Sequence, residues 1–139
     1  MHINDINRAH NRIRPYIHKT PILTNKSLNI LASANLYFKC ENFQKAGSFK
    51  IRGATNAVAM LKSDKIKNGI ATASSGNHGA ALSMAVSNRG GNTKVVMPEN
   101  APKIKVNNVL RNGGEIIWCK PTLMSRESVL KNLILNTKA

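Results

Sequence analysis

From residue 69 onward, short apolar runs alternate with segments of helical periodicity, and this alternation restricts the fold more than any other feature. Residues 69–73, 94–97 and 115–119 are each bounded by glycine, proline or polar residues, as β-strands are. Helices are predicted between and after them, over residues 76–87, 102–112 and 125–136. Strands joined through helices of this length form right-handed βαβ units with parallel strands. The sequence therefore predicts an α/β fold built on a parallel sheet.

The first half of the chain is expected to carry shorter and less regular elements. A stripe of isoleucines predicts a helix over residues 3–17, followed by an extended segment at 20–24, a short helix at 27–34 and a strand at 36–40. Aliphatic residues at helical spacing predict the next helix, which ends near residue 63: Ile51, Ala54, Val58 and Leu61. The predicted strand at 36–40 leads directly into a lysine-containing loop.

Lys50 lies in a sequence context that favours an unusual role for its side chain. Gly47 permits a tight turn, and Ser48 is a good N-cap for a helix that begins at Phe49. The positive end of the helix dipole and the nearby Arg52 both disfavour a protonated ammonium group. A neutral lysine amine is the nucleophile of Schiff-base chemistry. The alternative is a solvated surface lysine, which is the commoner fate of such residues.

A second polar motif, SSGNHG at residues 74–79, lies between a predicted strand and a predicted helix. Ligands bind at the carboxyl ends of strands in open parallel sheets. Serine hydroxyls, the Asn77 amide and free N–H groups at a helix start can together bind an anion. The motif is neither GxGxxG nor a P-loop, because the GK[ST] ending is absent. A well-capped helix with a glycine-eased turn is the alternative.

Charge and composition narrow the classes of function. The formal net charge is +15, from 21 basic and 6 acidic side chains, and such a balance is typical of nucleic-acid binding. The basic residues are scattered, however, with no block of five or six, so a basic nucleic-acid-binding module is the least favoured hypothesis. Cys40 and Cys119 lack CxxC spacing and predict neither a disulfide framework nor a metal site.

Length and hydropathy point to one domain in the cytoplasm. The 139 residues suffice for a single compact domain. The first residues, MHIND, contain no apolar core of a signal peptide, and no run approaches 18 apolar residues. A cytoplasmic location is expected on these grounds.

Taken together and in this order, two motifs resemble the serine/threonine dehydratase and serine racemase family of pyridoxal-phosphate enzymes. They are ENFQKAGSFKIRGA at 41–54 and SSGNHG at 74–79, and the flanking text agrees: KTPILT at 19–24, VVMP at 95–98, APK at 101–103 and NGGE at 112–115. The resemblance spans nearly the whole chain. It implies a three-layer α/β fold with a parallel sheet, the tryptophan synthase β-like fold (fold type II), and pyridoxal 5′-phosphate as the cofactor.

The resemblance also implies roles for individual residues. Lys50 corresponds to the lysine that attaches the cofactor as a Schiff base, Phe49 packs against the cofactor ring and Asn77 donates to its 3′ oxygen. The substrate carboxylate is held by Ser75, Gly76, Asn77 and His78. In the racemase branch a serine at Ser75 also gives and takes a proton, so both Lys50 and Ser75 are candidate catalytic residues.

The activity implied is β-elimination of L-threonine or L-serine to a 2-oxo acid and ammonia, with serine racemisation as an alternative. In this family a glycine-rich phosphate loop comes later in the sequence, so the chain resembles the N-terminal part of the catalytic domain. Residues 1–73 would carry the lysine, and residues 74–139 would form βα units of the small domain. An inactive truncated remnant or a split-gene fragment is the third hypothesis. The expected partners are an amino-acid substrate and either a second copy or a C-terminal fragment.

Overall fold

The computed structural model describes residues 2–137, and its secondary structure follows the predicted alternation. The helices are α1 (Ile3–Ile13), α2 (Lys26–Ala32), α3 (Lys50–Ala59), α4 (Ser63–Asn68), α5 (Asn77–Ser87), α6 (Lys103–Arg111) and α7 (Leu123–Thr137). The strands are β1 (Ile22–Leu23), β2 (Phe38–Lys39), β3 (Ile70–Ala73), β4 (Thr93–Pro98) and β5 (Gly114–Cys119). Short 3₁₀ turns occupy Arg14–Tyr16, Glu41–Phe43 and Lys45–Gly47.

The main sheet has the order β3-β4-β5, and both strand pairs are parallel. Its register pairs Ala73 with Val96 and Pro98 with Cys119, so the carboxyl ends of the strands share one edge. Helices α5 and α6 pack against each other and against the sheet, while α7 crosses all three strands. Because successive right-handed crossovers put α5 and α6 on one face, α7 covers the other. This three-layer arrangement confirms the predicted α/β class.

The core lies in two connected clusters on either side of α5. One surrounds the central strand, where Val95 and Met97 are fully buried against Ala80 and Val109. The second lies between α3 and α5 and consists of Ile51, Ala54, Val58, Ile66, Ala81, Leu82, Ala85 and Val86. The alanine-rich sequence of α5 lets α3 approach closely, which brings the start of the lysine-bearing helix next to the start of α5.

The first half of the chain differs from the prediction in three details. The helix predicted over residues 3–17 ends at Ile13, where Pro15 favours a 3₁₀ turn. Strand β2 pairs antiparallel with β1 in a separate two-stranded sheet, and two 3₁₀ turns separate it from Lys50. Helix α4 was not predicted, because Ile66 is the one residue of its polar sequence that is buried.

Two further observations concern the same described residues. No helix in residues 2–137 combines the length and the apolar character that crossing a membrane requires. Within that range, no three His, Cys, Asp or Glu side chains are grouped as the ligands of a metal ion would be.

Candidate functional site

Lys50 is the first residue of α3, one residue later than the predicted helix start. Its side chain is exposed, and its Nζ lies 5.1 Å from the centroid of the Phe49 ring. The Phe49 side chain is itself 58% exposed. An amine and an aromatic face are therefore presented together at the surface, on a helix whose other face is anchored in the core by Ile51 and Val58.

The turn before Lys50 is fixed by the buried side chain of Gln44. Its Oε1 accepts hydrogen bonds from the backbone N–H of His18 and of Lys45, at 2.8 Å and 2.9 Å, and its Nε2 donates to the His18 carbonyl at 2.8 Å. The backbone then passes through positive φ at Ala46 (58°) and Gly47 (74°). Gly47 meets the predicted need for a residue that tolerates this conformation. The role of Gln44 was not predicted, because His18, the partner in two of its three hydrogen bonds, lies 26 residues away in the sequence.

Ser48 does not make the N-cap hydrogen bond that the sequence predicted. Its hydroxyl oxygen is buried and finds no hydrogen-bond partner among residues 2–137. The residue is extended, with φ −164° and ψ 163°, and it is 8% exposed. An unsatisfied buried hydroxyl is costly, so a polar atom of a bound group would gain a ready partner two residues before Lys50.

Glu41 and Arg52 form an ion pair beside the lysine turn. Arg52 donates from Nε to Oε2 of Glu41 at 2.8 Å and from a terminal nitrogen to Oε1 at 2.7 Å, and the Thr20 hydroxyl donates to Oε1 at 2.5 Å. The hydrogen bond from Arg52, the largest influence, lowers the pKa of Glu41 from 4.5 to about 2 against the opposing effect of burial. The positive field expected from Arg52 at Lys50 is therefore largely neutralised.

The second motif begins where β3 ends, and Ser74 organises it. The Ser74 hydroxyl accepts hydrogen bonds from the backbone N–H of Gly76 and of Gly79, at 3.3 Å and 3.0 Å. Helix α5 then starts at Asn77, and the side chains of Asn77 and His78 are exposed. Backbone N–H groups in a first helical turn have no intrahelical acceptor, so those of Asn77 and His78 can bind an anion.

Close packing explains the last glycine of this motif. A Cβ atom at Gly79 would lie 2.8 Å from Cγ1 of Val95 on the central strand. The absence of a side chain therefore lets α5 start directly above β4, which holds the exposed motif residues at the carboxyl edge of the sheet.

A surface cavity of about 620 Å³ and another of about 600 Å³ occur among the described residues, and the second touches both motifs. It is lined by Ala46, Gly47, Asn77, Ile104, Lys105, Asn108, Arg111 and Asn112. The structure thus brings Asn77 to the turn that precedes Lys50. The other predicted site residues do not line this cavity: Phe49, Lys50, Ser75, Gly76 and His78.

Lys105 is a candidate that sequence reasoning missed. A Cβ atom at Gly76 would lie 3.3 Å from Nζ of Lys105, so this ammonium group approaches the backbone of the second motif. It adds positive charge where the exposed N–H groups of α5 already favour an anion. No pattern in the sequence distinguishes Lys105 from the other scattered lysines.

The α/β domain presents an exposed lysine at one helix start and a serine-glycine-asparagine loop at the neighbouring helix start. This combination is typical of enzymes that hold a carbonyl cofactor on a lysine. The family described as pyridoxal-phosphate dependent enzyme matches residues 13–139, and the chain belongs to that family. This membership confirms the family resemblance predicted from the sequence, and it confirms pyridoxal phosphate as the cofactor of that family.

Individual relatives agree with this assignment. The chain is 52% identical over 132 residues to a serine racemase of Dictyostelium discoideum, covering 95% of this chain and 41% of that protein. It is 49% identical over 133 residues to a β-hydroxyaspartate dehydratase of Paracoccus denitrificans, covering 96% of this chain and 42% of that protein. The chain therefore spans about two fifths of the length of the curated relatives it matches.

Solved structures share the fold. Maize serine racemase superposes with a TM-score of 0.95 at 45% identity, covering 99% of this chain and 42% of that one. The T.th. threonine deaminase gives a TM-score of 0.89 at 36% identity, covering 99% of this chain and 43% of that one. These similarities confirm the predicted fold.

The described residues fit the reactive end of pyridoxal phosphate, which is the end that carries its aldehyde. The cofactor carries an aldehyde, a ring oxygen and an aromatic face, and the site offers the Lys50 amine, the Asn77 amide and the Phe49 ring. The Ser48 hydroxyl, which has no partner among residues 2–137, adds a buried polar group two residues before Lys50. The donor set therefore matches the group that the family uses.

Proposed function

We propose that the chain supplies the lysine-bearing part of the active site of a pyridoxal-phosphate enzyme that acts on serine or a related hydroxy amino acid. One observation carries the proposal: Lys50 and Asn77 each begin a helix, the two helices pack together, and one cavity is lined both by Asn77 and by the turn that precedes Lys50. Among the relatives, one is named a serine racemase and another a β-hydroxyaspartate dehydratase, which supports chemistry that starts with loss of the Cα proton.

In this proposal Lys50 has two tasks. Its amine would attach the cofactor and, once freed, would accept the proton from the substrate Cα. When bound, the conjugated ring of the cofactor takes up the electron pair left at Cα. Phe49 would pack on that ring, and the Asn77 amide would donate a hydrogen bond to its oxygen. The exposure of all three side chains leaves them free to do so.

The second motif would bind the substrate and determine the outcome at Cα. The Ser75 hydroxyl and the N–H groups of Asn77 and His78 would bind the carboxylate, as the helix start favours, next to Gly76, whose N–H already donates to Ser74. A proton delivered to Cα by the Ser75 hydroxyl, from the face opposite Lys50, would complete racemisation. Loss of the β-hydroxyl as water would instead give an enamino acid, whose hydrolysis yields the 2-oxo acid and ammonia of β-elimination. The serine racemase relatives favour racemisation as the main reaction, with β-elimination of L-serine or L-threonine as the second candidate.

We also propose the domain division suggested by the sequence, with residues 1–73 carrying the lysine and residues 74–139 forming βα units of a small domain. The sheets support the division except at its boundary: β1 and β2 form their own sheet in the first part, whereas β3 (Ile70–Ala73), at the end of that part, pairs with β4 of the second part. The extreme residues of these ranges, 1 and 138–139, lie outside the described residues.

The proposal is tested by adding pyridoxal phosphate to the purified chain. We expect the yellow absorbance of lysine-attached cofactor, which Lys50→Ala abolishes and the control Lys62→Ala, at another exposed lysine, retains. D-serine and 2-oxo acid are then measured after addition of L-serine. Ser75→Ala should lower racemisation at least about 100-fold while it affects elimination less.

The outcomes separate the hypotheses. Absence of absorbance that depends on Lys50 would refute attachment of the cofactor by this chain. Attachment without turnover of L-serine or L-threonine would favour the inactive fragment, for which the open surroundings of Phe49 and Lys50 already give a physical reason.

A further inference from the structure

The surface cavity of about 620 Å³ differs from the cavity at the two motifs, because most of its lining is basic. The basic side chains that line it are His10, Arg14, His18, Lys19, Lys39 and Arg52. The two arginines and two lysines carry full positive charges at neutral pH, and no carboxylate is among the lining residues. A concave surface with one sign of charge attracts ions of the opposite sign. We call this surface the basic cavity.

Separate parts of the chain supply the basic lining. His10 and Arg14 are four residues apart, so they lie on one face of α1 and of the 3₁₀ turn that continues it. Lys39 ends β2, and Arg52 lies in the first turn of α3. The fold therefore gathers into one cavity charges that are scattered along the sequence, which is why no basic block in the sequence predicts this site.

Lys39 and Arg52 are held in place and still have unused hydrogen-bond donors. Lys39 Nζ donates to the Thr20 carbonyl at 2.6 Å, and an ammonium group has three N–H donors. Arg52 donates to Glu41 from Nε and from one terminal nitrogen, whereas a guanidinium group has five N–H donors. Both side chains therefore offer positioned donors to a further acceptor, which lowers the entropic cost of binding one.

His18 is fixed by both its backbone and its ring. The Gln44 side chain bonds to the backbone N–H and to the carbonyl of His18, in both cases at 2.8 Å. Nδ1 of the His18 ring lies 3.2 Å from the Phe43 carbonyl oxygen. Because a carbonyl oxygen only accepts, Nδ1 carries the hydrogen of this bond, and Nε2 is left for another partner. The ring is thus oriented before any ligand binds.

Arg14 and Lys19 add charge that no carboxylate among residues 2–137 neutralises. Both side chains are exposed, and neither takes part in the ion pairs found within that range. Glu41, the carboxylate bonded to Arg52, does not line the cavity. Arg14 and Lys19 are therefore free to turn toward a bound anion, while Lys39 and Arg52 hold fixed positions.

We propose that the basic cavity binds a small multivalent oxyanion, that is, a molecule with two or more phosphate or carboxylate groups. Its volume of about 620 Å³ lies in the range of pockets for small molecules. Several separate cationic groups match several anionic groups better than one, and the partly buried Ile17 can contact carbon atoms between them. The basic cavity shares no lining residue with the cavity at the two motifs, so the inference does not depend on the proposed function.

Titration calorimetry on the purified 139-residue chain tests the proposal. The probes are sodium tripolyphosphate, citrate and orthophosphate, each added at the same low ionic strength because salt screens such contacts. We expect tripolyphosphate or citrate to bind at least about tenfold more tightly than orthophosphate, since more than one ion pair forms. The first two probes distinguish an oligophosphate from a polycarboxylate, and tight binding of either supports the proposal.

A pair of double variants separates the cavity from the overall charge of the chain. Arg14→Gln combined with Lys19→Gln should weaken binding of the tighter probe at least about fivefold, because two cations of the cavity are lost. Lys65→Gln combined with Lys67→Gln is the matched control, which removes the same charge from exposed residues of α4 that line neither large cavity. Far-UV circular dichroism establishes that both double variants are folded.

Each result supports or overturns the inference. Multivalent anions that bind no more tightly than orthophosphate overturn it, and so does equal weakening by the two double variants, since net charge alone would then explain the binding. Amide NMR signals of the wild-type chain locate the anion without any substitution. Shifts within residues 10–19 are expected on titration, whereas shifts confined to residues 46–47 and 104–112 would place the anion in the other cavity and refute the proposal.

Discussion

Replacing Glu41 by glutamine removes the charge that ties Thr20 to the lysine-bearing helix α3. The native carboxylate accepts two hydrogen bonds from Arg52 and one from Thr20. Its pKa is lowered from 4.5 to about 2, chiefly by the hydrogen bond from Arg52. At roughly 1.4 kcal/mol per pKa unit, this difference corresponds to about 3 kcal/mol.

Partial exposure reduces that figure. The side chains of Arg52 and Glu41 are 28% and 17% exposed, so solvent screens part of the attraction. Glutamine also keeps one hydrogen-bond acceptor for the guanidinium group. We therefore expect Glu41→Gln to lower the free energy of unfolding by about 2 kcal/mol at neutral pH.

The pH dependence identifies the cause. A carboxyl group with a lowered pKa in the folded state stabilises the fold above its unfolded value of 4.5, and this contribution is lost as pH falls toward about 2. The difference in unfolding free energy between wild type and Glu41→Gln should accordingly shrink across that range. Urea unfolding measured at several pH values between about 7 and 2.5 gives this difference directly.

A matched control is Asp5→Asn, which removes an exposed carboxylate paired with Arg8. Because surface ion pairs contribute less than about 1 kcal/mol, this variant should remain close to wild type. A difference for Glu41→Gln that stays constant with pH, or that Asp5→Asn reproduces, would refute the assigned role of the ion pair.

Three further predictions concern the two motifs, and thermal and urea unfolding measure all of them. Gly79→Ala would place a methyl group 2.8 Å from Cγ1 of Val95 and should lower the free energy of unfolding by about 1–3 kcal/mol. Gly53→Ala, where the added methyl group would meet open space, should not lower it. Equal effects of the two substitutions would contradict the packing argument. Ser74→Ala should lower the free energy of unfolding by about 1 kcal/mol, because two backbone N–H groups lose their acceptor. An unchanged unfolding midpoint would contradict the capping role of Ser74. Gln44→Ala should lower the free energy of unfolding by about 2–3 kcal/mol. An effect below about 0.5 kcal/mol would show that the turn is stable without the Gln44 side chain.

The parallel sheet could be predicted because its strands are buried and so read as short apolar runs. Residues 94–97 illustrate this: three of the four are fully buried, and the strand extends by one residue at each end. Helix α4 could not be predicted in the same way, because its sequence SDKIKN carries no helical stripe. The pairing of β1 with β2 joins residues that are distant in the sequence and has no local signal.

The candidate site was predictable in its motif residues but not in its supports. Lys50 and Asn77 both begin helices within one residue of the predicted starts. Local sequence could not show that Ser74, rather than a later residue, caps α5, or that Ser48 leaves its hydroxyl unpaired among the described residues. These details depend on where the backbone of a neighbouring element lies, which tertiary packing decides.

Glu41 links the segment before β1 to the lysine-bearing helix. It accepts a hydrogen bond from the Thr20 hydroxyl and another from Arg52, two residues after Lys50 on α3. Because a cofactor site tolerates displacements of well under about 1 Å, this link contributes to the placement of Lys50. Glu41→Gln should therefore weaken the absorbance of lysine-attached cofactor as well as lower the free energy of unfolding, and unchanged absorbance would contradict this positioning role.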